Sequence, residues 1–169
     1  QGLPEFKHDN IAGSHASHGQ LFNGYQSSYC TGVFTWADGQ CAFGTKSDAA
    51  QLLQDAAARG GSGFMQDLLM LDGDVAHYKR NKHDTLCCRA LCRRDGKLCV
   101  VSSDKPMTLE HFVDALLDYG VTDAISLTMG MPSSSDPWDY AWYRDNDGNV
   151  VYLQEHINDG STNWLTFYK

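Results

Sequence analysis

The sequence predicts an α+β domain: a mixed β-sheet built largely of hairpins, with two main helices packed on it. Three observations lead there. Turn dipeptides ending in glycine separate short apolar runs at Asp38-Gly39 and Asp95-Gly96, and Asn146-Asp147-Gly148 marks a third such place. Two segments carry apolar residues at helical spacing, and each stops at a glycine. The chain has 169 residues, 42% hydrophobic and 20% charged, which suits one domain with a substantial core and excludes disordered or collagen-like chains.

Residues 1–30 are rich in Gly, Ser and His with little periodicity, and read as an irregular N-terminal arm leading into a single domain over residues 31–169. Within the arm, His15-x-x-His18 can ligate a metal only if a turn brings the two rings together. With no helix to hold that spacing, His8, His15 and His18 read as solvated or turn-capping side chains. Residues 32–44 form a hairpin, with Val33, Phe34 and Trp36 before Asp38-Gly39 and residues 41–43 after it.

Residues 47–59 form the first helix. Ser47 is placed to cap it, Asp48 favours its positive end, Gly60-Gly61 stops it, and Ala49, Leu52, Leu53, Ala56 and Ala57 form its apolar face. Residues 64–71 read as one buried strand ending at Asp72-Gly73. Residues 85–101 form a hairpin in which a two-residue turn sets Arg94 opposite Lys97 and Cys92 opposite Cys99. Residues 109–119 form the second helix, with Thr108 as N-cap, Glu110 in the first turn, Gly120 after the end, and a stripe of Leu109, Phe112, Val113, Leu116 and Leu117. Residues 124–127 read as a buried strand, residues 138–144 and 150–153 as a third hairpin, and residues 164–168 as a last strand, giving about eight strands in all. No internal repeat, low-complexity tract or linker is visible.

A net charge of −8 argues against nucleic-acid and anionic-membrane partners, which need a basic patch. No apolar run approaches the roughly 20 residues of a membrane span. The chain begins at Gln1, which reads as a boundary left by removal of an upstream segment. Its six cysteines are Cys30, Cys41, Cys87, Cys88, Cys92 and Cys99. Facing residues in a regular ladder are poorly oriented for the preferred disulfide torsion, so a Cys92–Cys99 bond would be strained. The thiols read as free, small core hydrophobes, and CC-x3-C-x6-C lacks the paired spacing of a zinc site.

The most suggestive place for chemistry is the loop after Leu127: Thr128-Met129-Gly130-Met131-Pro132, then serines 133–135 and Asp136-Pro137. A polar, glycine-containing loop leaving a buried strand is where ligands often bind, and Gly130 lets backbone N–H groups approach one closely. The plainer reading is a surface loop of turn residues. Asp72, Asp74, Asp123, Asp136 and Asp139 are carboxylates available for acid–base work. No nucleophile elbow, phosphate-binding Walker loop or dinucleotide fingerprint occurs, and Ser133 has no nearby base at motif spacing. Strand alternation sets Trp138, Tyr140 and Trp142 on one face, either as a sugar-stacking surface or as aromatics packed into the core.

The stretch TLEHFVDALLDYGVTDAISLTMGMPSSS resembles the C-terminal block of the phosphodiester glycosidase family, relatives of the enzyme that uncovers mannose 6-phosphate tags by removing N-acetylglucosamine. That block runs helix, Gly, an Asp-Ala-Ile strand and a Leu-Asp-Gly-Gly-Gly-Ser loop; Gly120, Asp123-Ala124-Ile125, Leu127 and Gly130 match it here. The hairpin CCRALCRRDGKLCVV is similar to the family's Arg-Thr-Ala-Ile-Gly strand, Asp-Gly turn and Leu/Val-rich strand. Asn23-Gly24-Tyr25 echoes its Asn-Gly-Gly-Phe motif. The chain departs from the family at Thr128, which stands for Asp, at Met129, which stands for Gly, and at Cys88, which stands for Arg with Arg89 beside it. The resemblance implies an exported protein (secreted, periplasmic or at the cell surface) that hydrolyses a sugar–phosphodiester linkage without a cofactor. Arg89 would hold the phosphate, Gly130 and Ser133 would line the loop, Asn23 would contact substrate, and Asp123 or Asp136 would be the nearest carboxylate to Thr128. The alternative is a non-catalytic member that binds a glycan or a protein through Trp138 and Trp142. A third reading is a purely structural domain within a larger surface assembly.

Overall fold

The computed structural model describes residues 11–76, 85–127 and 142–152. The class is α+β, as the sequence predicts. The elements run β1 (His15–Ser17), β2 (Gln20–Phe22), β3 (Gly32–Ala37), β4 (Gln40–Thr45), α1 (Ala49–Ala58) and β5 (Ser62–Gln66). They continue with β6 (Leu68–Leu71), β7 (Asp74–Val75), β8 (Thr85–Leu86), β9 (Arg89–Arg94), β10 (Lys97–Ser102), β11 (Met107–Thr108), α2 (Leu109–Asp118), β12 (Val121–Ser126), β13 (Trp142–Arg144) and β14 (Val150–Tyr152). The strand read at residues 164–168 lies outside the described residues.

Two five-stranded sheets carry the fold, ordered β2-β1-β5-β3-β4 and β10-β9-β12-β6-β7. Their strand pairs are all antiparallel, and a parallel contact occurs at the isolated bridge between Ala12 and Tyr25. Phe34, Phe43 and Phe64 of the first sheet pack against Leu91, Ile125 and Leu98 of the second, forming the core between them. Helix α1 covers the outer face of the first sheet through Ala49, Leu53 and Ala57 against Val33 and Met65. Helix α2 covers the outer face of the second through Leu109, Phe112, Val113 and Leu116 against Ala90, Cys92 and Ala124. The layers are therefore helix, sheet, sheet, helix.

The two halves share one topology. In each, a hairpin is followed by a second hairpin, a helix and a return strand that inserts between the first strands of the two hairpins. The four hairpin turns of the two five-stranded sheets are His18-Gly19, Asp38-Gly39, Asp72-Gly73 and Asp95-Gly96, each with positive φ at both residues. That is the type I′ geometry that matches the strand twist. Gly60 and Gly120, at φ 71° and 80°, end the two helices in matching positions. At Gly60 the end is a Schellman motif, with Gly61 N–H bonded to the Ala56 carbonyl at 2.8 Å and Gly60 N–H to Ala57 at 2.9 Å.

Three expectations change. A hairpin, β1–β2, forms within the stretch read as an irregular arm. The single strand read at residues 64–71 is two strands in different sheets, and the chain steps from one to the other at Asp67. Ser47 does not cap α1. Asp48 occupies the N-cap without a capping bond, because its carboxylate turns back to accept from Thr45 N–H at 2.8 Å and Thr45 Oγ1 at 2.6 Å. At α2 the expected cap is present, with Thr108 Oγ1 accepting from His111 N–H at 3.3 Å.

Candidate functional site

Arg89 opens β9 and is buried, 6% exposed. Its Nε donates to Oγ of Ser102, its cross-strand partner, at 2.8 Å, and its carbonyl accepts from Leu127 N–H at 2.9 Å. The chain therefore leaves β12 beside Arg89. One residue earlier, buried Ser126 donates its N–H to the Asp67 carbonyl at 2.8 Å. This end of the second sheet thus meets the step between the sheets.

Asp67 is 4% exposed, and its Oδ1 accepts from Thr31 Oγ1 at 2.6 Å. Thr31 Oγ1 in turn accepts from Leu68 N–H at 2.8 Å, so the hydroxyl hydrogen is committed to the carboxylate. Close approach of the sheets here depends on Gly32, which pairs with Gln66; a Cβ on it would sit 2.6 Å from Leu68 Cβ. Two charged residues that are costly to bury, Asp67 and Arg89, thus bond through their carbonyls to the residues at the end of β12. Asp67 was not among the residues singled out in the sequence, although it interrupts the apolar run FMQDLLML, and a polar residue inside such a run is the signal that marks it.

Asp123 does not join this group. It lies opposite Arg93 in the β9–β12 ladder, four residues from Arg89, which is about 13 Å along a strand. Its carboxylate, 2% exposed, accepts from Arg93 Nη1 at 3.2 Å, Thr122 Oγ1 at 2.9 Å and Asp72 N–H at 3.1 Å. Arg93 also donates to the Cys41 carbonyl at 3.0 Å and lies 5.1 Å from the Phe43 ring centroid. Burial by itself disfavours the Arg93 charge, but the Cys41 and Asp123 contacts outweigh it and raise its pKa above the ordinary value. This is an ion pair tying β9 to β12 and to the other sheet, and it sets Asp123 apart from Arg89.

Asn23 is exposed just beyond β2, in the sheet that does not contain Arg89. Thr128, Gly130, Ser133, Asp136, Trp138 and Tyr140 lie outside the described residues. Trp142 begins β13, pairing with Tyr152 of β14 across the hairpin read in the sequence. His15 is buried rather than solvated, stacked on Phe22 at 5.2 Å, and His18 sits in the first type I′ turn. Among the described residues no group of three or more His, Cys, Asp or Glu could hold a metal. Among the described residues no thiol forms a disulfide, and Cys92 and Cys99 face each other in register. Burial, with the neighbouring Cys99 second, pushes the Cys92 thiol up to about 12. No helix among the described residues is long and apolar enough to cross a membrane.

The strongest geometry is therefore the end of β12, where Ser126 and Leu127 bond to the carbonyls of two buried charged residues, Asp67 and Arg89. No protein-family model matches this chain, and no curated protein matches it.

Proposed function

We propose that the end of β12 is a sugar-phosphodiester site and that the chain is a divergent, exported phosphodiester-glycosidase-like hydrolase. One observation carries the reading: the Leu127 N–H bond to the Arg89 carbonyl sets Leu127, which precedes Thr128 in the sequence, beside Arg89. The two stretches that resemble the family meet where β9 pairs with β12 in one sheet. A guanidinium suits a phosphodiester because its planar fork gives two parallel charge-assisted bonds to phosphate oxygens. Binding an anion against a net charge of −8 has to depend on such local donors rather than on the field of the whole protein.

The test is turnover of an N-acetylglucosamine 1-phosphodiester by wild type, Arg89→Ala and Arg89→Lys. Hydrogen bonds to charged groups are each worth about 1.5–3 kcal/mol, so Arg89→Ala lowers kcat/KM by about 10- to 100-fold. Arg89→Lys keeps the charge but loses the fork, and falls between the two. Absence of turnover, together with glycan binding that Trp138→Ala or Trp142→Ala abolishes, would instead make the chain a non-catalytic glycan-binding member.

A further inference from the structure

We propose that Cys92 and Cys99 are a thiol-oxidation site, which a low-molecular-weight disulfide converts into a cross-strand disulfide and which thiols restore. The two face each other in register across β9 and β10, on the side covered by α2. The two-residue turn makes Arg94 and Lys97 a hydrogen-bonded pair, so Cys92 and Cys99, two steps along the ladder, form another. The Cα atoms of such a pair lie about 5.5 Å apart, within the range that a disulfide spans. Their Cβ atoms have to close by about 1 Å to bond. That strain makes the product easily reduced, as labile disulfides are and structural ones are not. The other buried thiols are held differently: Cys30 donates to the Met65 carbonyl, and Cys88 to the Leu86 and Met107 carbonyls. Among the described residues neither the Cys92 nor the Cys99 thiol has a hydrogen-bond partner, so oxidation sacrifices no such bond.

Access sets the order of the chemistry. Cys92 is 0% exposed, whereas Cys99 is only partly buried, on the edge strand of its sheet. Burial raises the Cys99 thiol and the Arg94 guanidinium opposes the rise, while Cys92 is pushed up to about 12. Cys99 is therefore the point of entry. With oxidised glutathione as the oxidant, Cys99 loses its proton and its sulfur attacks one glutathione sulfur. The glutathione S–S bond breaks, and one glutathione leaves as a thiolate. Cys92 then loses its proton and attacks Cys99 Sγ, which breaks the mixed disulfide and releases the second glutathione. Two protein thiols are oxidised, one glutathione disulfide is reduced, and the two protons end on the glutathione thiols.

The test treats the native protein with oxidised glutathione, blocks remaining thiols and maps the tryptic peptides. Trypsin cuts after Arg93, Arg94 and Lys97, so the bond joins two peptides that are otherwise separate. Folded wild type is expected to give this linked pair and to lose it on adding dithiothreitol. Cys92→Ala is expected to carry glutathione on Cys99 instead. In folded Cys99→Ser, Cys92 is expected to take up glutathione at least about tenfold more slowly than Cys99 does in Cys92→Ala. A folded wild type that yields no linked pair, or yields it only after unfolding, overturns the proposal. Uptake at equal rates in the two variants overturns Cys99 as the point of entry.

Discussion

Replacing Asp123 by Ala separates the structural from the catalytic meaning of a carboxylate that the sequence placed near the site. Asp123 is 2% exposed and takes three hydrogen bonds, from Arg93, Thr122 and Asp72. Breaking a buried ion pair by removing one partner costs about 3–5 kcal/mol when the remaining charge stays buried. Here Arg93 keeps 28% side-chain exposure and its bond to the Cys41 carbonyl, so part of its charge is still met after the carboxylate is lost. The cost is therefore expected below that range, at about 2–3 kcal/mol, which for a chain of this size is a fall in Tm of about 5–10 °C. Urea unfolding of Asp123→Ala, Arg93→Met and the double variant measures it. The double variant should lose less than the sum of the singles, because the pair is removed once. Turnover per folded molecule should be unchanged. A loss below about 1 kcal/mol would refute the packing argument. Normal stability with abolished turnover would return Asp123 to the chemistry.

Two further predictions concern the core and its thiols. Gly63→Ala places a Cβ 2.7 Å from Thr35 Cγ2 and 2.8 Å from the Phe34 carbonyl oxygen, whereas Gly39→Ala meets nothing within 4 Å but holds φ at +72°. The first should cost about 1–3 kcal/mol and the second about 1 kcal/mol in chemical unfolding, and the reverse order would contradict the crowding between β3, β5 and α1. The Cys92 thiol is raised from 9.0 to about 12, chiefly by burial and then by Cys99. A folded pKa above the unfolded one stabilises fully below the unfolded value and loses that contribution as pH rises through the folded value. Cys92→Ala should therefore lose less Tm than wild type between about pH 8 and about pH 10.5, and an equal loss would show that Cys92 does not set the alkaline limb.

What was legible followed local grammar. The hairpins at Asp38-Gly39 and Asp95-Gly96 were readable because few residues other than Gly, Asn and Asp accept positive φ, and the register expected for the second is the one observed. Helix α2 was readable because its stripe, its Thr108 cap and Gly120 agree. The β1–β2 hairpin was missed because its turn is His18-Gly19, a weaker signal than Asp-Gly. The step at Asp67 was hidden because two buried strands one residue apart read as a single apolar run. The shared topology was invisible because the halves have little in common beyond turn and helix-stop positions, and residues in matching places, such as Phe34 and Leu91, differ. Arg89 was singled out through a family resemblance, and its setting was not legible, since Leu127 bonds to it, and Ser126 to Asp67, across tens of residues.

Hydrolysis in ¹⁸O-labelled water tests the central claim most directly. If the end of β12 is a glycosidase site, water attacks carbon, and the heavy oxygen is expected on the anomeric hydroxyl of the released sugar with the phosphate monoester unlabelled. Label in the phosphate would show cleavage at phosphorus and contradict the account, as would turnover that Arg89→Ala leaves untouched.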